Sequence, residues 1–316
     1  MTDAASRDAL DDVMANIERA IIGKRHVVEL LLVALISEGH VLLEDVPGTG
    51  KTTLARALAR SLAARFQRIQ FTPDLLPSDV TGIYFYNQRT QDFEFRPGPI
   101  LANIVLADEI NRATPRTQSS LLEAMEERHV TVEGETFPVP RPFLVVATQN
   151  PVELEGTFPL PEAQLDRFML RIRVGYPSQE QEEQILVSQG AGHPVDELEP
   201  VVGPEAVLAL REQAGAVHVA PDVRRYITQL VRSTRDHPQV ELGVSPRGSL
   251  ALYRGAQALA LLRNRSFVMP DDVKYLAVST LAHRMILGAD ARLRGRAPED
   301  VIADIMGAVP VPVEAV

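Results

Sequence analysis

One stretch limits what this chain can become more than any other: Val41-Leu-Leu-Glu-Asp-Val-Pro-Gly-Thr-Gly-Lys51-Thr52-Thr53-Leu-Ala55. It runs from an apolar segment through a Gly-rich turn into residues that open a helix. A strand that ends in such a loop turns successive backbone N–H groups inward, and the positive end of the helix caps them, which makes an anion site. Lys51 would reach the β- and γ-phosphates of a nucleotide, and the Thr52 hydroxyl would ligate Mg²⁺. Asp45 stands where the pattern G-x-x-x-x-G-K-[ST] has its first glycine. Aspartate is among the few non-glycine residues that visit left-handed backbone geometry at modest cost, so that geometry is expected here. The alternative is a Gly-rich turn between a core strand and a core helix, with no ligand.

The rest of the chain is built to suit such a loop. After helical segments from Arg7 to Gly39, short apolar runs alternate with helical patterns: Val41–Leu43, Arg68–Phe71, Asn103–Leu106, Phe143–Ala147 and Leu170–Val174. Runs of four to six Val, Ile, Leu or Phe-rich residues, spaced by helices, predict buried parallel strands in a doubly wound α/β domain. Gly175-Tyr176-Pro177-Ser178 punctuates the pattern, with Ser178 and Gln181 as a capping box for the next helix. Beyond it the periodicity is helical over Glu180–Gln189, Pro204–Ala214, Pro221–Asp236, Arg247–Arg263 and Pro270–Leu287. With 316 residues two domains are expected, an α/β domain over 1–176 and a helical one over 177–316. Two hairpins interrupt the first: Gly82–Phe95, which gathers aromatics in a chain with only 5% of them, and His129–Val139, turning at Glu133–Glu135. Each could equally be an edge ribbon packed on its neighbours.

Composition excludes several chemistries. Without cysteine there is no disulfide, thiolate catalysis or cysteine-bound zinc, and the seven histidines show no ligand spacing. No apolar run approaches the ~20 residues that span a bilayer. The N-terminus lacks a signal-peptide core, so a cytoplasmic location without membrane insertion is expected. A net charge of −10 argues against sequence-independent nucleic-acid binding.

Further polar residues fall at strand and helix ends. Ile104–Ala107 runs into Asp108 and Glu109, the pair a magnesium nucleotide site needs: Asp108 to hold Mg²⁺ or its water, Glu109 to polarise the attacking water. Phe143–Ala147 ends in Thr148, Gln149 and Asn150; an Asn or Thr there could orient the lytic water, or Asn150 could form an Asx-turn before Pro151. Arg167, in Leu165-Asp166-Arg167-Phe168, is either an ordinary surface arginine or the guanidinium fork that completes a phosphoryl-transfer site from a neighbouring subunit. Arg247 follows Ser245-Pro246 at a helix start, where a cation is unfavourable without a compensating anion.

Taken in order, these motifs resemble an AAA+ ATPase. The words Leu-Leu-Glu-Asp-Val-Pro-Gly-Thr-Gly-Lys-Thr, Phe-Thr-Pro-Asp-Leu-Leu-Pro-Ser-Asp, Ala-Asp-Glu-Ile-Asn-Arg-Ala, Leu-Leu-Glu-Ala-Met-Glu-Glu and Ala-Thr-Gln-Asn-Pro resemble its MoxR branch, close to the ATPase subunit of magnesium chelatase. The resemblance implies an αβα P-loop sandwich with a central parallel sheet, followed by a smaller all-α lid. It implies ATP and Mg²⁺ as ligands. Pro47, Gly48, Thr49, Gly50, Lys51, Thr52 and Thr53 would form Walker A, Asp108 and Glu109 Walker B, Asn150 sensor 1, Arg167 the arginine finger in trans, and Arg247 sensor 2. Ile22 and Gly23 would line the adenine pocket, and Arg112 and Arg116 would face a subunit boundary. The hairpins match insertions that project toward the pore of a ring. A hexameric homo-oligomer acting on a protein client, with a von Willebrand factor A domain partner, is implied by the same resemblance. A DNA-remodelling motor and a nucleotide-gated scaffold with little turnover are the competing readings.

Overall fold

In the strands beside the loop, alternate residues of a doubly apolar run must pack in opposite directions, and the sheet is covered on both faces. The computed structural model describes residues 3–46, 48–150, 156–188 and 193–312. Two helices come first, α1 (Asp3–Glu18) and α2 (Arg25–Ile36), then β1 (Val41–Glu44), α3 (Lys51–Ser61), β2 (Phe66–Gln70) and α4 (Pro77–Thr81). The hairpin β3 (Gly82–Asn87) and β4 (Asp92–Pro97) precedes β5 (Ile104–Asp108) and α5 (Pro115–Glu127). A second hairpin, β6 (His129–Val132) and β7 (Glu135–Pro138), leads to β8 (Leu144–Gln149), α6 (Glu162–Leu165) and β9 (Leu170–Ile172). The helical part holds α7 (Gln179–Ser188), α8 (Pro204–Ala216), α9 (Pro221–Asp236), β10 (Val240–Leu242), α10 (Pro246–Leu262), α11 (Pro270–Leu281), β11 (Ile286–Leu287), α12 (Ala289–Leu293) and α13 (Pro298–Ala308).

The central sheet has the order β2-β5-β8-β1-β9, and its pairs are parallel. Val41, Leu43, Ile104, Leu106, Leu144 and Val146 enter the core shared with α1, α2, α3 and the C-terminal helices. Leu42, Val105, Ala107, Val145 and Ala147 enter the opposite core, under α5 and the second hairpin. The period of two therefore produces the αβα layering directly.

Both expected hairpins form. The second closes through Glu133 and Gly134, both with positive φ (50° and 88°), the two-residue turn whose twist suits a hairpin. The hairpins pack on one another: Phe95 and Phe137 stack at 3.9 Å, and the Tyr84 hydroxyl donates to Glu135 at 2.6 Å. The Ser178–Gln181 capping box also forms, with Ser178 N–H donating to Gln181 Oε1 at 3.0 Å and Gln181 N–H to Ser178 Oγ at 3.3 Å.

Two differences from the sequence expectation lie in the helical part. The last long helix stops at Leu281 rather than Leu287, because His283 and Arg284 turn inward to bond the Asp166–Met169 turn. Ile286–Leu287 then pairs with Val240–Leu242, a two-stranded ribbon within a segment read as wholly helical.

Candidate active site

At the loop, the two glycines are required by the backbone, since Gly48 and Gly50 have φ of +83° and +81°. A Cβ at either would meet nothing within 4 Å, so the space in front of them is open. Lys51 begins α3 and its Nζ donates to the loop's own carbonyls, Asp45 at 2.8 Å and Val46 at 2.9 Å. Burial pushes the Lys51 pKa down, and the charges of Asp45, Asp108 and Glu109 counteract this. Pro47 lies outside the described residues.

Asp45 is not in left-handed geometry, contrary to expectation. Its carboxylate instead braces the loop from below, where Oδ1 accepts from the Val46 N–H at 2.7 Å and Oδ2 accepts from the Gly175 N–H. Lys24 Nζ donates to the Gly175 and Tyr176 carbonyls at 3.0 and 2.9 Å. The root of the loop is thus tied to the segment that leaves the sheet for the C-terminal helices. Ile22 and Gly23 adjoin that segment, and a Cβ on Gly23 would strike the Gln181 side chain. They do not line the cleft described next.

That cleft, about 430 Å³, is bounded by Gly48, Gly50, Lys51, Thr52, Thr53, Asp108, Glu109, Thr148 and Asn150, with Arg68 and Gln70 from β2. Strand β5 delivers Asp108 and Glu109 side by side. Asp108 Oδ1 accepts from Thr148 Oγ1 at 2.6 Å, and Oδ2 takes Arg68 Nε and Nη2 at 3.0 and 2.6 Å. Glu109 adopts left-handed geometry (φ 58°), sparsely populated for its type, and its N–H donates to Thr148 Oγ1 at 2.8 Å. Its carboxylate receives Gln70 Nε2 at 2.8 Å and pairs with Arg112 at 3.2 Å. Asn150 is buried at the end of β8; Pro151, and with it the Asx-turn alternative, lies outside the described residues. Arg116 is exposed in the first turn of α5.

Sequence reasoning missed Arg68 and Gln70. They share one face of β2, and the register sets Gln70 opposite Asp108. The available signal was two polar residues two apart within a strand next to the acidic strand end.

Chemically the cleft offers a helix N-terminus and Lys51 for an anion, one carboxylate and one hydroxyl for a hard cation, and a held carboxylate for a water proton. No group of three or more His, Cys, Asp or Glu suited to a metal occurs among the described residues. Asp108 and Thr52 still fit Mg²⁺, which is usually held by one or two protein oxygens together with substrate phosphates and water.

Arg167 and Arg247 are elsewhere. Both pair with Glu126 of α5, Arg167 Nε at 3.1 Å from Oε2 and Arg247 at Oε1, and neither lines the cleft. They border a second cavity of about 270 Å³ together with Arg128, Asp166, Arg254 and Arg284. Arg247, expected as sensor 2, thus lies beside Arg167 rather than on the wall of the phosphate-loop cleft. Ser245, which caps α10 through the Arg247 N–H, donates to Asp166 Oδ2 at 3.2 Å and fixes Arg247 beside Arg167. Glu126 is the compensating anion that a cation at a helix start requires.

Residues 40–170 match the model of the ATPase family associated with various cellular activities (AAA), and residues 232–305 match the AAA lid domain. The Bacillus subtilis protein YeaC, itself uncharacterized, is 55% identical over 96% of this chain and 95% of its own length. The Mycobacterium tuberculosis chaperone MoxR1 is 43% identical over 98% of this chain and 84% of its own length. Protein MoxR of Paracoccus denitrificans is 33% identical over 95% and 96%. A crystal structure of an ATPase candidate from Cytophaga hutchinsonii superposes with a TM-score of 0.92 at 38% identity, covering 98% of this chain and 97% of that one.

Proposed function

The chain belongs to the MoxR family of AAA+ ATPases and hydrolyses ATP, and from that premise we propose a ring-forming, chaperone-like motor whose catalytic sites are shared between subunits. One observation carries the reading: the phosphate-loop and acidic residues converge on one cleft, while Arg167 and Arg247 sit together on a different carboxylate, outside it. Two guanidinium groups held side by side fit the γ-phosphate of a neighbouring copy.

In this reading Lys51 and the N–H groups of Gly48 and Gly50 hold the phosphates, Glu109 takes the proton of the attacking water, and Asn150 orients that water. Thr52 and Asp108 would hold Mg²⁺, which supplies charge neutralisation on the phosphates. The neighbour's Arg167 and Arg247 meet the charge that develops on the transferred phosphoryl group. Ile22 and Gly23 flank the base, and Arg112 and Arg116 face the boundary between subunits. A domain boundary at 176–177 would fall beside the Gly175 segment that Asp45 and Lys24 hold. Hydrolysis then moves the lid against the α/β wedge.

The chaperone named in the mycobacterial relative supports a protein client. A hexameric ring, a von Willebrand factor A domain partner and a role in maturation or metal insertion rest on family resemblance alone. The test is Arg167→Ala at ring-forming concentration. ATP affinity should be retained while turnover falls by roughly 10³–10⁵, the usual worth of an arginine finger. Turnover near that of the unaltered protein would refute the shared site.

A further inference from the structure

Arg284 belongs to the helical part, yet its guanidinium is spent on the α/β domain. Its side chain is 2% exposed and gives four of its five bonds to a single turn, Asp166–Met169, which carries Arg167. Nε donates to Asp166 Oδ1 at 2.7 Å, Nη2 to the Phe168 carbonyl at 2.7 Å and the Asp166 carbonyl at 3.3 Å, and Nη1 to the Met169 carbonyl at 3.1 Å and the Thr280 carbonyl. All five guanidinium hydrogens thus have acceptors. His283 adds a bond from Nε2 to the same Phe168 carbonyl at 3.0 Å.

The carboxylate Arg284 grips also serves the other arginine. Asp166 Oδ2 accepts from Ser245 Oγ, and that hydroxyl accepts the backbone N–H of Arg247. Two arginines 80 residues apart in sequence are therefore registered to one another through a single partly buried pair. Such a pair is a poor source of stability, since apolar residues of similar volume often do as well. What it supplies here is geometry: four bonds fix a four-residue turn, and the fifth, to the Thr280 carbonyl, holds the guanidinium on its own helix.

We propose that Arg284 is the positioning residue for the Arg167–Arg247 pair, locking both arginines into the geometry in which they meet the phosphate of a neighbouring subunit. This rests on the shared-site reading above. It also ties the lid to the finger turn of its own subunit, so a movement of the lid against the wedge would be felt at Arg167.

The test uses full-length Arg284→Lys, which keeps the charge but has three donors at one point, and Ser245→Ala, which deletes one bond at the same carboxylate. ATP affinity should stay within about twofold. Turnover should fall roughly 10–100-fold for Arg284→Lys, within the range that small misplacements of catalytic groups cause, and less for Ser245→Ala. Mixing Arg284→Lys with Glu109→Gln subunits should restore activity above the sum of the two alone, because Glu109→Gln subunits lend intact arginines to intact clefts. The double variant Arg284→Lys/Arg167→Ala should be no slower than Arg167→Ala.

Turnover within twofold of the unaltered protein for both single variants, or no recovery on mixing, would overturn the proposal. A parallel mixture of Arg167→Ala with Glu109→Gln separates the two claims. Recovery there without recovery for Arg284→Lys refutes the positioning role; recovery in neither refutes the shared site itself.

Discussion

His40 opens β1 from inside the protein, and its protonation can be reasoned from its partners. Nδ1 accepts the Val145 N–H at 3.0 Å, so the ring proton is on Nε2, which donates to the Met125 carbonyl at 3.1 Å. A second proton would set an N–H against an N–H in a site with no solvent. Burial lowers the pKa from 6.5 to about 3, with the Arg128 charge adding to the effect and the Met125 carbonyl opposing it. The sign follows: a base whose folded pKa is depressed leaves stability whole above about pH 6.5, and stability is lost as pH falls from there toward 3.

The loss for this one group is RT ln[(1 + 10^(6.5 − pH))/(1 + 10^(3 − pH))], about 1 kcal/mol at pH 5.5 and about 4 kcal/mol near pH 3. The window from about pH 7.5 to 5.5 is the informative one, because ordinary carboxylates titrate below it. His283, buried and also lowered in pKa, adds a similar slope, so the measurement must be a difference. Urea unfolding of the unaltered protein and of His40→Gln, at both pH values and one ionic strength, provides it. His40→Gln should be less stable at pH 7.5 by about 1–3 kcal/mol, for a poorly satisfied Val145 N–H. That deficit should shrink by about 1 kcal/mol at pH 5.5, since the variant has nothing to protonate there. Equal pH dependence in both proteins, or a carbon-13 titration of the His40 ring with a midpoint above pH 5, would refute the argument.

Two further substitutions probe the cleft. Thr148→Val removes the hydroxyl that joins Asp108 to the Glu109 N–H, leaving a part-buried donor unpaired. Turnover should fall about 10-fold or more while Thr148→Ser stays near normal, as phosphate-release assays would show; equal rates for the two would exclude the bridge. Asp45→Ala frees the Gly175 N–H and loosens the loop root, so the nucleotide Kd should rise about 5–30-fold, whereas Asp45→Asn, which retains an acceptor, should change it less. Titration with a fluorescent nucleotide checks this, and an unchanged Kd for Asp45→Ala would free the loop from the Gly175 segment.

How far each feature could be read in advance depended on how local its cause was. The strands, both hairpins and the Ser178 cap depend on neighbours within a few residues, and the sequence places all of them to within a residue or two. Which way a side chain faces is another matter. Arg68 and Gln70 belong to a strand that reads as apolar, and only its pairing with β5 makes their face the wall of the cleft. The surroundings of Arg247 are hidden in the sequence for the same reason. Its place is set by Ser245 on Asp166 and by close packing of α10, where Gly255 leaves room for Met169 and Leu276.

Arg284 shows where a non-local role does leave a trace. In α11 the buried positions Val273, Leu276, Ala277, Thr280 and Leu281 follow the helical period, and the next step of three falls on Arg284. An arginine that continues an apolar stripe must find several acceptors or remain exposed, because an unsatisfied buried guanidinium is too costly to keep. The helix stops six residues short of the expected end, and the residue that breaks the pattern is the one that reaches across to Asp166. The irregularity was therefore visible as a charge in the wrong place. Its partner was not, since nothing in the periodicity of either segment points from residue 284 to residue 166. Only the packing of the lid on β9 brings them together, and with them the two arginines whose geometry they set.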